Sequence, residues 1–196
     1  MGFNKNINYK QVCITNRHLV EGDFILQIQQ VLTGNGKPDL LVLREKDLPE
    51  EEYKKLAEKV MQVCHKNHTT CILHYFKDTA LKLSAKGLHL PYAMFINMPG
   101  NEKCRFKIKG VSIHSKEEAV NAQRAGASYI TAGHIYETSC KAGVKPRGIG
   151  FLREICSAVT VPVYAIGGIN RDNASECIEA GASGVCMMSG YMKKQL

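Results

Sequence analysis

Short apolar runs recur along the chain, and each is followed by a helical pattern or a turn. The runs are rich in Val, Ile, Leu, Cys and Met and lack strict alternation with polar residues, which is typical of strands covered on both faces. Parallel strands joined by helical crossovers produce this alternation of elements. We predict eight strands, at 11–15, 39–44, 70–74, 87–90, 108–113, 128–133, 161–167 and 184–189.

Two of the intervening helices are defined by residues at their ends. Asp47 is a capping candidate shortly before Pro49, and acidic residues follow in what would be the first turn. Ser115 and Glu118 have the spacing of a capping box, and Gly126 ends the helix that they open.

The ends of two helices form an internal repeat, Ala-Gly-Ala-Ser at 125–128 and again at 180–183, and each copy leads straight into an apolar strand. The second copy ends a helix predicted over 172–180. A helix-to-strand unit used twice, among eight strands, favours a closed (β/α)8 TIM barrel of the α/β class over an open doubly wound sheet. We therefore predict one barrel domain over 1–196. Strand eight would end near Gly190, so the eighth helix of this compact barrel is expected to be largely missing.

Composition and charge narrow the function classes. The 196 residues are 44% hydrophobic and 22% charged, as in an ordinary globular domain. No apolar run approaches the roughly 20 residues that cross a bilayer, and the polar N-terminus lacks a signal-peptide core, so we expect a cytoplasmic protein without membrane contact. The net charge of +8 is expected to attract small anions rather than nucleic acid.

The cysteines and the metal-binding residue types are widely spread. The eight cysteines form no C-x-x-C pair and lie mostly in apolar runs, which predicts reduced, buried thiols. No group of His, Cys, Asp and Glu has the spacing of a metal site. We therefore predict no structural zinc site.

Glycines follow the last two predicted strands. In a TIM barrel the active site lies at the carboxyl ends of the strands, and phosphate commonly binds after strands seven and eight. Strand seven ends at Gly167 and Gly168, and strand eight ends at Met188, Ser189 and Gly190. Main-chain N–H groups can approach an oxyanion closely at such positions, so we predict a phosphate site at the ends of these two strands. A plain glycine turn is the alternative.

A run of four charges, from Arg44 to Asp47, follows the second predicted strand. In one interpretation Arg44 and Lys46 point to the same side and bind an anionic substrate, because guanidinium and ammonium groups bind carboxylate and phosphate well. In the other, the run is a solvated turn with ion pairs of its own. The sequence leaves both open.

Histidines lie at three predicted strand ends. His134 follows strand six directly, and a histidine ordinarily titrates near neutral pH, so it is the candidate general acid or base. A histidine that is hydrogen-bonded in the barrel wall is the alternative. His89 and His114 are expected to be structural or to have a secondary binding role.

With these residues the chain resembles the thiamine phosphate synthase and thiazole tautomerase family over nearly the whole barrel. The resemblance rests on the residues at 43–46, 87–90, 110–115 and 165–169 and on the Ala-Gly-Ala repeats. It implies three sets of contacts: Arg44 and Lys46 with a substrate carboxylate; Ser112, Thr138 and Lys141 with other parts of the substrate; Gly167, Gly168, Met188 and Ser189 with its phosphate.

The two branches of this family differ in their chemistry. Synthases join a pyrimidine pyrophosphate to a thiazole phosphate with Mg2+, which is held by an aspartate of an Asn-Asp pair after strand three and by another after strand four. This chain has His74-Tyr75 and Pro91-Tyr92-Ala93-Met94 at those positions, and Tyr and Met cannot replace carboxylates as Mg2+ ligands. The segment 133–143 instead resembles the tautomerase form, in which a histidine, here His134, is catalytic.

The resemblance to tautomerases implies a small phosphorylated thiazole as substrate. The enzyme would convert a carboxythiazole phosphate tautomer into its aromatic isomer by moving a proton from ring carbon C2 to the exocyclic vinylic carbon. Aromatisation stabilises the product, so no metal or organic cofactor is expected. Two alternatives are a thiamine phosphate synthase with relocated metal ligands and a phosphate-binding accessory barrel without catalysis.

The predicted gap at the eighth helix has a consequence for assembly. The barrel wall beside strands eight and one would expose apolar surface, and surface of this kind is usually covered by a partner. We expect a homo-oligomer to cover it, or the N-terminal segment to fold across it.

Whether Glu137 or Cys140 shares acid-base work with His134 is left open by the sequence.

Overall fold

Eight parallel strands close into a barrel in chain order, each paired with the next and the last with the first. The computed structural model describes residues 9–138 and 143–193. The strands are β1 Lys10–Ile14, β2 Leu40–Leu43, β3 Thr70–His74, β4 Gly87–Pro91, β5 Ile108–Ile113, β6 Tyr129–Gly133, β7 Val163–Ile166 and β8 Gly184–Met187. The TIM barrel is confirmed, and every strand lies within two residues of its predicted bounds.

Helices surround the barrel. They are α1 Phe24–Thr33, α2 Glu50–Lys66, α3 Lys77–Lys82, α4 Tyr92–Ile96, α5 Gly100–Lys103, α6 Lys116–Arg124, α7 Gly148–Ala158, α8 Ala174–Glu179 and α9 Ser189–Met192, with a 3-10 turn at Arg17–Leu19. After β8 the described chain contains only the four-residue helix α9, as expected for a barrel with a reduced eighth helix.

The predicted helix ends are right in one case and wrong in two. The Ser115 side chain accepts a hydrogen bond from the Glu118 N–H at 3.1 Å, which confirms the cap of α6. Asp47 does not cap α2, because it binds a distant arginine instead, and α2 begins after Pro49 without a side-chain cap. Helix α8 begins two residues later than predicted, because the preceding residues form a turn held by asparagine side chains.

The alternation of side chains along each strand separates two apolar cores. One face of the strands packs against the helices, for example Leu41 and Leu73. The other face fills the barrel interior, and its buried members are Val12, Ile14, Val42, Ile72, Tyr129, Tyr164 and Cys186. Because successive residues alternate between faces, the interior positions continue toward the carboxyl ends of β2, β3, β4 and β5 as Arg44, His74, His89 and Ser112.

Membrane-spanning helices and clusters of metal ligands are both absent from the described part of the chain. Within residues 9–138 and 143–193, no helix is long and apolar enough to cross a membrane. The same ranges contain no group of three or more His, Cys, Asp and Glu residues that could hold a metal ion. The seven cysteines in them are thiols, four of them buried, whereas Cys140 lies outside the described residues.

Candidate active site

The charged run after β2 divides into two pairs with different roles. Glu45 is only 1% exposed and accepts hydrogen bonds from the Thr15 hydroxyl at 2.6 Å and from the Arg17 N–H at 3.1 Å. The Arg17 guanidinium bridges the carboxylates of Glu45 and Asp47, at 3.2 and 2.6 Å. These contacts hold the pKa of Asp47 below its usual range, chiefly through the hydrogen bond from Arg17.

The two cations of the same run remain available to a ligand. In the described part of the chain, no ion pair involves Arg44 or Lys46. The Arg44 main-chain N–H donates to the Thr15 hydroxyl at 2.9 Å, which ties the start of the loop to β1. The acids form ion pairs with Arg17 and not within the run, so the run is no solvated turn with ion pairs of its own. The positive charges of Arg44 and Lys46 lie near the histidines of the barrel mouth, and their binding of an anion stays a prediction.

A hydrogen-bonded network forms the floor of the mouth around His89, which is 3% exposed. Its Nδ1 lies 2.8 Å from the Tyr129 hydroxyl and its Nε2 lies 2.7 Å from the Ser112 hydroxyl, which also accepts from Thr131 at 3.1 Å. Since Tyr129 has no other acceptor among the described residues, it donates to Nδ1, and Nε2 then carries the hydrogen. Ser112 thus accepts twice, and its own O–H can be donated to a ligand.

Burial determines the charge state of this floor. It lowers the pKa of His89 to about 3, with the nearby charge of Arg44 adding to the effect. A neutral His89 therefore holds Ser112 in place as a hydrogen-bond partner. The expectation of a structural role for His89 agrees with this network.

His74 lies beside His89 at the end of β3 and is 7% exposed. The two rings stack with centroids 5.6 Å apart and an interplanar angle of 21°. Burial lowers the pKa of His74 well below its ordinary value, and His89, Arg44 and Lys46 lower it further. Its Nδ1 is buried and has no hydrogen-bond partner among residues 9–138 and 143–193.

His134, the predicted acid or base, follows β6 and is 4% exposed. Its Nε2 lies 3.1 Å from the main-chain carbonyl oxygen of Val144. Because a carbonyl oxygen can only accept, Nε2 carries the hydrogen, and Nδ1 of the neutral ring keeps its lone pair. A side chain at Gly167 would collide with His134, so the histidine packs directly on the loop after β7.

The two glycines after β7 are required by the conformation and packing of their loop, apart from any role in binding phosphate. Gly167 and Gly168 have φ angles of +103° and +67°, in the left-handed region that favours glycine. A Cβ on Gly168 would also meet the main chain at Glu137. Close packing against the loop after β6 therefore requires these glycines, and the alternative of a plain turn explains their composition as well as phosphate binding does.

Other features of the two loops suit an anion. The N–H groups of Gly168 and Ser189 donate no hydrogen bond within residues 9–138 and 143–193. The Asn173 side chain donates to the Gly168 carbonyl at 3.0 Å, so a hydrogen bond satisfies this oxygen within the loop. The Asn16 amide lies 3.6 Å from the Met188 sulfur and connects the β8 end to the β1 end.

The remaining predicted residues have different positions. Thr138 lies half-buried in the loop after β6, and Lys141 falls outside the described residues, as does Cys140. The exposed His114 contributes main-chain contacts: its N–H donates to Glu118 at 2.6 Å. These facts leave the predicted substrate contacts of Thr138 and Lys141 as predictions.

Sequence reasoning missed three side chains around the floor, those of His74, Tyr129 and Thr131. The alternation of side chains along a strand could have indicated these residues. Each of the three lies an even number of residues from another side chain that faces the barrel interior. Gly110 belongs to the same set, because a Cβ there would collide with Tyr129 and His89. These residues belong to β3, β4, β5 and β6, and they surround one point only because the barrel is closed.

The donor set at the mouth does not fit Mg2+. The ends of β3 and β4 carry Tyr75 and the segment 91–94, which offer no carboxylate, and the buried Glu45 is already bound to Thr15 and Arg17. Mg2+ requires hard oxygen ligands in near-octahedral geometry. These residues therefore provide no set of ligands for Mg2+.

Comparisons with known proteins point to one family. The family model described as thiamine monophosphate synthase matches residues 11–191. A thiamine-phosphate synthase of Clostridium acetobutylicum is 34% identical over 193 residues, covering 97% of this chain and 90% of that protein. One from Caldanaerobacter subterraneus is 34% identical over 192 residues, covering 95% and 87%. The structure of thiamine phosphate pyrophosphorylase from Pyrococcus furiosus superimposes with a TM-score of 0.80 at 29% identity, covering 98% of this chain and 91% of that one.

Proposed function

The chain belongs to the thiamine monophosphate synthase family, and within that family we propose that it is an isomerase rather than a synthase. Its proposed reaction aromatises a carboxythiazole phosphate tautomer by moving a proton from ring carbon C2 to the exocyclic vinylic carbon. The C2–H bond breaks, the ring double bonds shift, and a C–H bond forms at the exocyclic carbon. The reaction needs no oxidant, reductant or second substrate.

One observation carries the proposal, namely the orientation of His134. The Val144 carbonyl holds Nε2–H, so the Nδ1 lone pair is the base that accepts the C2 proton. The same nitrogen returns the proton to the exocyclic carbon if both carbons lie on one face of the ligand. Because the carbonyl also accepts from the imidazolium, the ring keeps its position in both protonation states.

The rest of the mouth supports an anionic ligand. The cations of Arg44 and Lys46 suit the carboxylate, whereas the open N–H groups of Gly168 and Ser189 suit the phosphate. The Ser112 hydroxyl, held by His89, is a hydrogen-bond donor between these two regions. Thr138 and Lys141 are retained as proposed contacts.

A second candidate is the synthase reaction, and the names of the relatives favour it. Proteins about one-third identical to this chain carry the name thiamine-phosphate synthase. The residues after β3 and β4 argue against it, because Tyr75 and Met94 are no ligands for Mg2+. Formation of thiamine phosphate from the pyrimidine pyrophosphate and the thiazole phosphate in the presence of Mg2+ would establish this candidate and overturn the isomerase.

The experiment follows the tautomer by NMR and absorbance with the purified protein, with and without EDTA. We expect aromatisation that EDTA does not affect. His134→Gln should keep the thermal stability and ligand affinity of the wild type but lose activity about 100-fold or more, as expected for removal of a general acid or base. Wild-type turnover in this variant would exclude His134 from the mechanism, and ligand binding without any turnover would identify a silent binder.

A further inference from the structure

The imidazole of His74 is buried, yet its nitrogens contribute no hydrogen bond to the part of the protein that the structure describes. Its Nδ1 has no hydrogen-bond partner, and neither ring nitrogen bonds a residue in the described part of the chain. An unpartnered buried polar group destabilises the folded protein, because it loses its hydrogen bonds to water and gains none in return. An apolar residue such as Ile72, two positions earlier on the same face of β3, would avoid that cost.

The scaffold around His74 is satisfied without its ring nitrogens. The main-chain N–H of His74 donates to the Tyr53 hydroxyl at 2.9 Å, and that hydroxyl donates to the Leu43 carbonyl at 2.8 Å. The ring stacks on His89 and lies 6.3 Å from the ring of Tyr75, contacts that an aromatic hydrocarbon could also make. The nitrogens therefore serve neither the backbone nor the packing.

The groups that face His74 define what it can bind. The positive charges of Arg44 and Lys46, at the end of β2, act electrostatically on His74, the His89 ring stacks on it from β4, and Tyr75 follows it directly after β3. The two cations attract an anion, and a neutral imidazole offers one N–H donor to that anion. This combination suits a carboxylate, whose two oxygens can accept from a cation and from the imidazole together.

The order of strands determines which end of a ligand reaches His74. In a barrel closed in chain order, β3 and β7 lie on opposite sides, as do β4 and β8. A ligand whose phosphate lies at the loops after β7 and β8 extends its other end across the mouth toward β3 and β4. In the proposed substrate, that other end is the carboxylated thiazole ring.

We infer that His74 donates a hydrogen bond to the substrate carboxylate, together with Arg44 and Lys46, and thereby selects carboxylated over decarboxylated thiazole phosphates. The inference rests on the proposed function for the identity of the ligand. It assigns to His74 a contact that Arg44 and Lys46 alone cannot provide, because flexible cations would bind any anion at this end of the mouth.

The test compares two ligands, aromatic carboxythiazole phosphate and the same thiazole phosphate without the carboxylate, by calorimetry. His74→Phe keeps a planar ring for stacking but has no nitrogen. We expect it to weaken binding of the carboxylated ligand about tenfold and to change binding of the other less than about threefold, as for one hydrogen bond to a charged group. His74→Gln, which retains an N–H donor, should recover part of the loss, and the exposed His65→Phe is the control.

A measurement on the wild type keeps the inference testable if the variants unfold. In a 15N-histidine NMR titration, the His74 ring nitrogens should shift with the carboxylated ligand and not with the decarboxylated one. Equal effects on both ligands, or on neither, would overturn the inference even if the protein isomerises the tautomer. Selective binding through His74 without isomerisation would instead retain the carboxylate contact and refute the proposed reaction, and failure to bind either ligand would refute both.

Discussion

Two neighbouring histidines, His74 and His89, are uncharged because the barrel buries them. Burial lowers the pKa of His89 to about 3 and lowers that of His74 well below its ordinary value. In an unfolded chain a histidine titrates near 6.5. Between that pH and the lower value of the folded state, the unfolded chain therefore binds more protons, and acid favours unfolding.

This linkage predicts how stability depends on pH. As the pH falls below about 6.5, the free energy of unfolding should decrease by up to about 1.4 kcal/mol per pH unit for each of the two histidines. For His89 the decrease continues toward pH 3. Urea denaturation at several pH values between 7.5 and 5 measures the slope. His89→Gln should make it shallower, whereas an unchanged slope in that variant would contradict the assignment; His65→Gln is the control.

Gly110 illustrates how one residue makes room for the floor. A Cβ at this position would collide with the Tyr129 ring and His89 Nδ1, both of which are buried. Gly110→Ala should therefore lower the free energy of unfolding by about 2–3 kcal/mol, a typical cost of overpacking. Gly100→Ala is the matched control, because a Cβ at Gly100 meets open space. Equal stability of the two variants by urea denaturation would show that the floor can rearrange.

At the scale of elements, the loop after β2 is positioned by a buried carboxylate. Glu45→Gln removes the charge that holds Arg17 and Thr15, and we expect it to cost about 1–3 kcal/mol of unfolding free energy. It should also weaken binding of carboxythiazole phosphate several-fold, although Arg44 itself is unchanged. Asp47→Asn affects only the exposed part of the network and should lower the free energy of unfolding less than Glu45→Gln does. Affinity unaffected by Glu45→Gln would mean that Arg44 is positioned independently of this carboxylate.

The elements that could be predicted are those whose signals are local. Strand bounds follow from apolar runs, and the start of α6 follows from Ser115 and Glu118, which are three residues apart. The partner of Asp47 could not be predicted, because Arg17 lies 30 residues earlier and only the pairing of β1 with β2 brings the two together. The short helices α4 and α5 had no usable periodicity, since neither spans two full turns.

At the scale of the whole molecule, the candidate site forms only because the eight strands close into a barrel. Residues in the loops, such as His134 and Gly167, could be recognised from their position after a strand. His74, Tyr129 and Thr131 lie within strands, where a polar residue has no distinct meaning until the sheet closes. Their convergence on one face of the mouth depends on all eight strands being in register.

The surface beside β8 and β1 leads to the prediction of a homo-oligomer. Helix α9 is one turn long and is tied to α1 by a hydrogen bond of 2.8 Å from the Gln27 side chain to the Tyr191 carbonyl. Helix α1 buries Ile28 and Leu32, but Leu26 is 63% exposed on it. We propose that a second copy of the chain covers this helix around Leu26, the large apolar side chain that is exposed on it.

Sedimentation velocity at about 10–50 μM measures the assembly, a range in which interfaces of standard size remain associated. The wild type should sediment as a homo-oligomer, and Leu26→Glu should shift it to monomer because a carboxylate would be buried without a partner. Met94→Glu places the same charge on an exposed apolar residue of α4, away from α1, and should leave the oligomer intact. A monomeric wild type would refute the oligomer, and an oligomer insensitive to Leu26→Glu would move the interface to another face of the barrel.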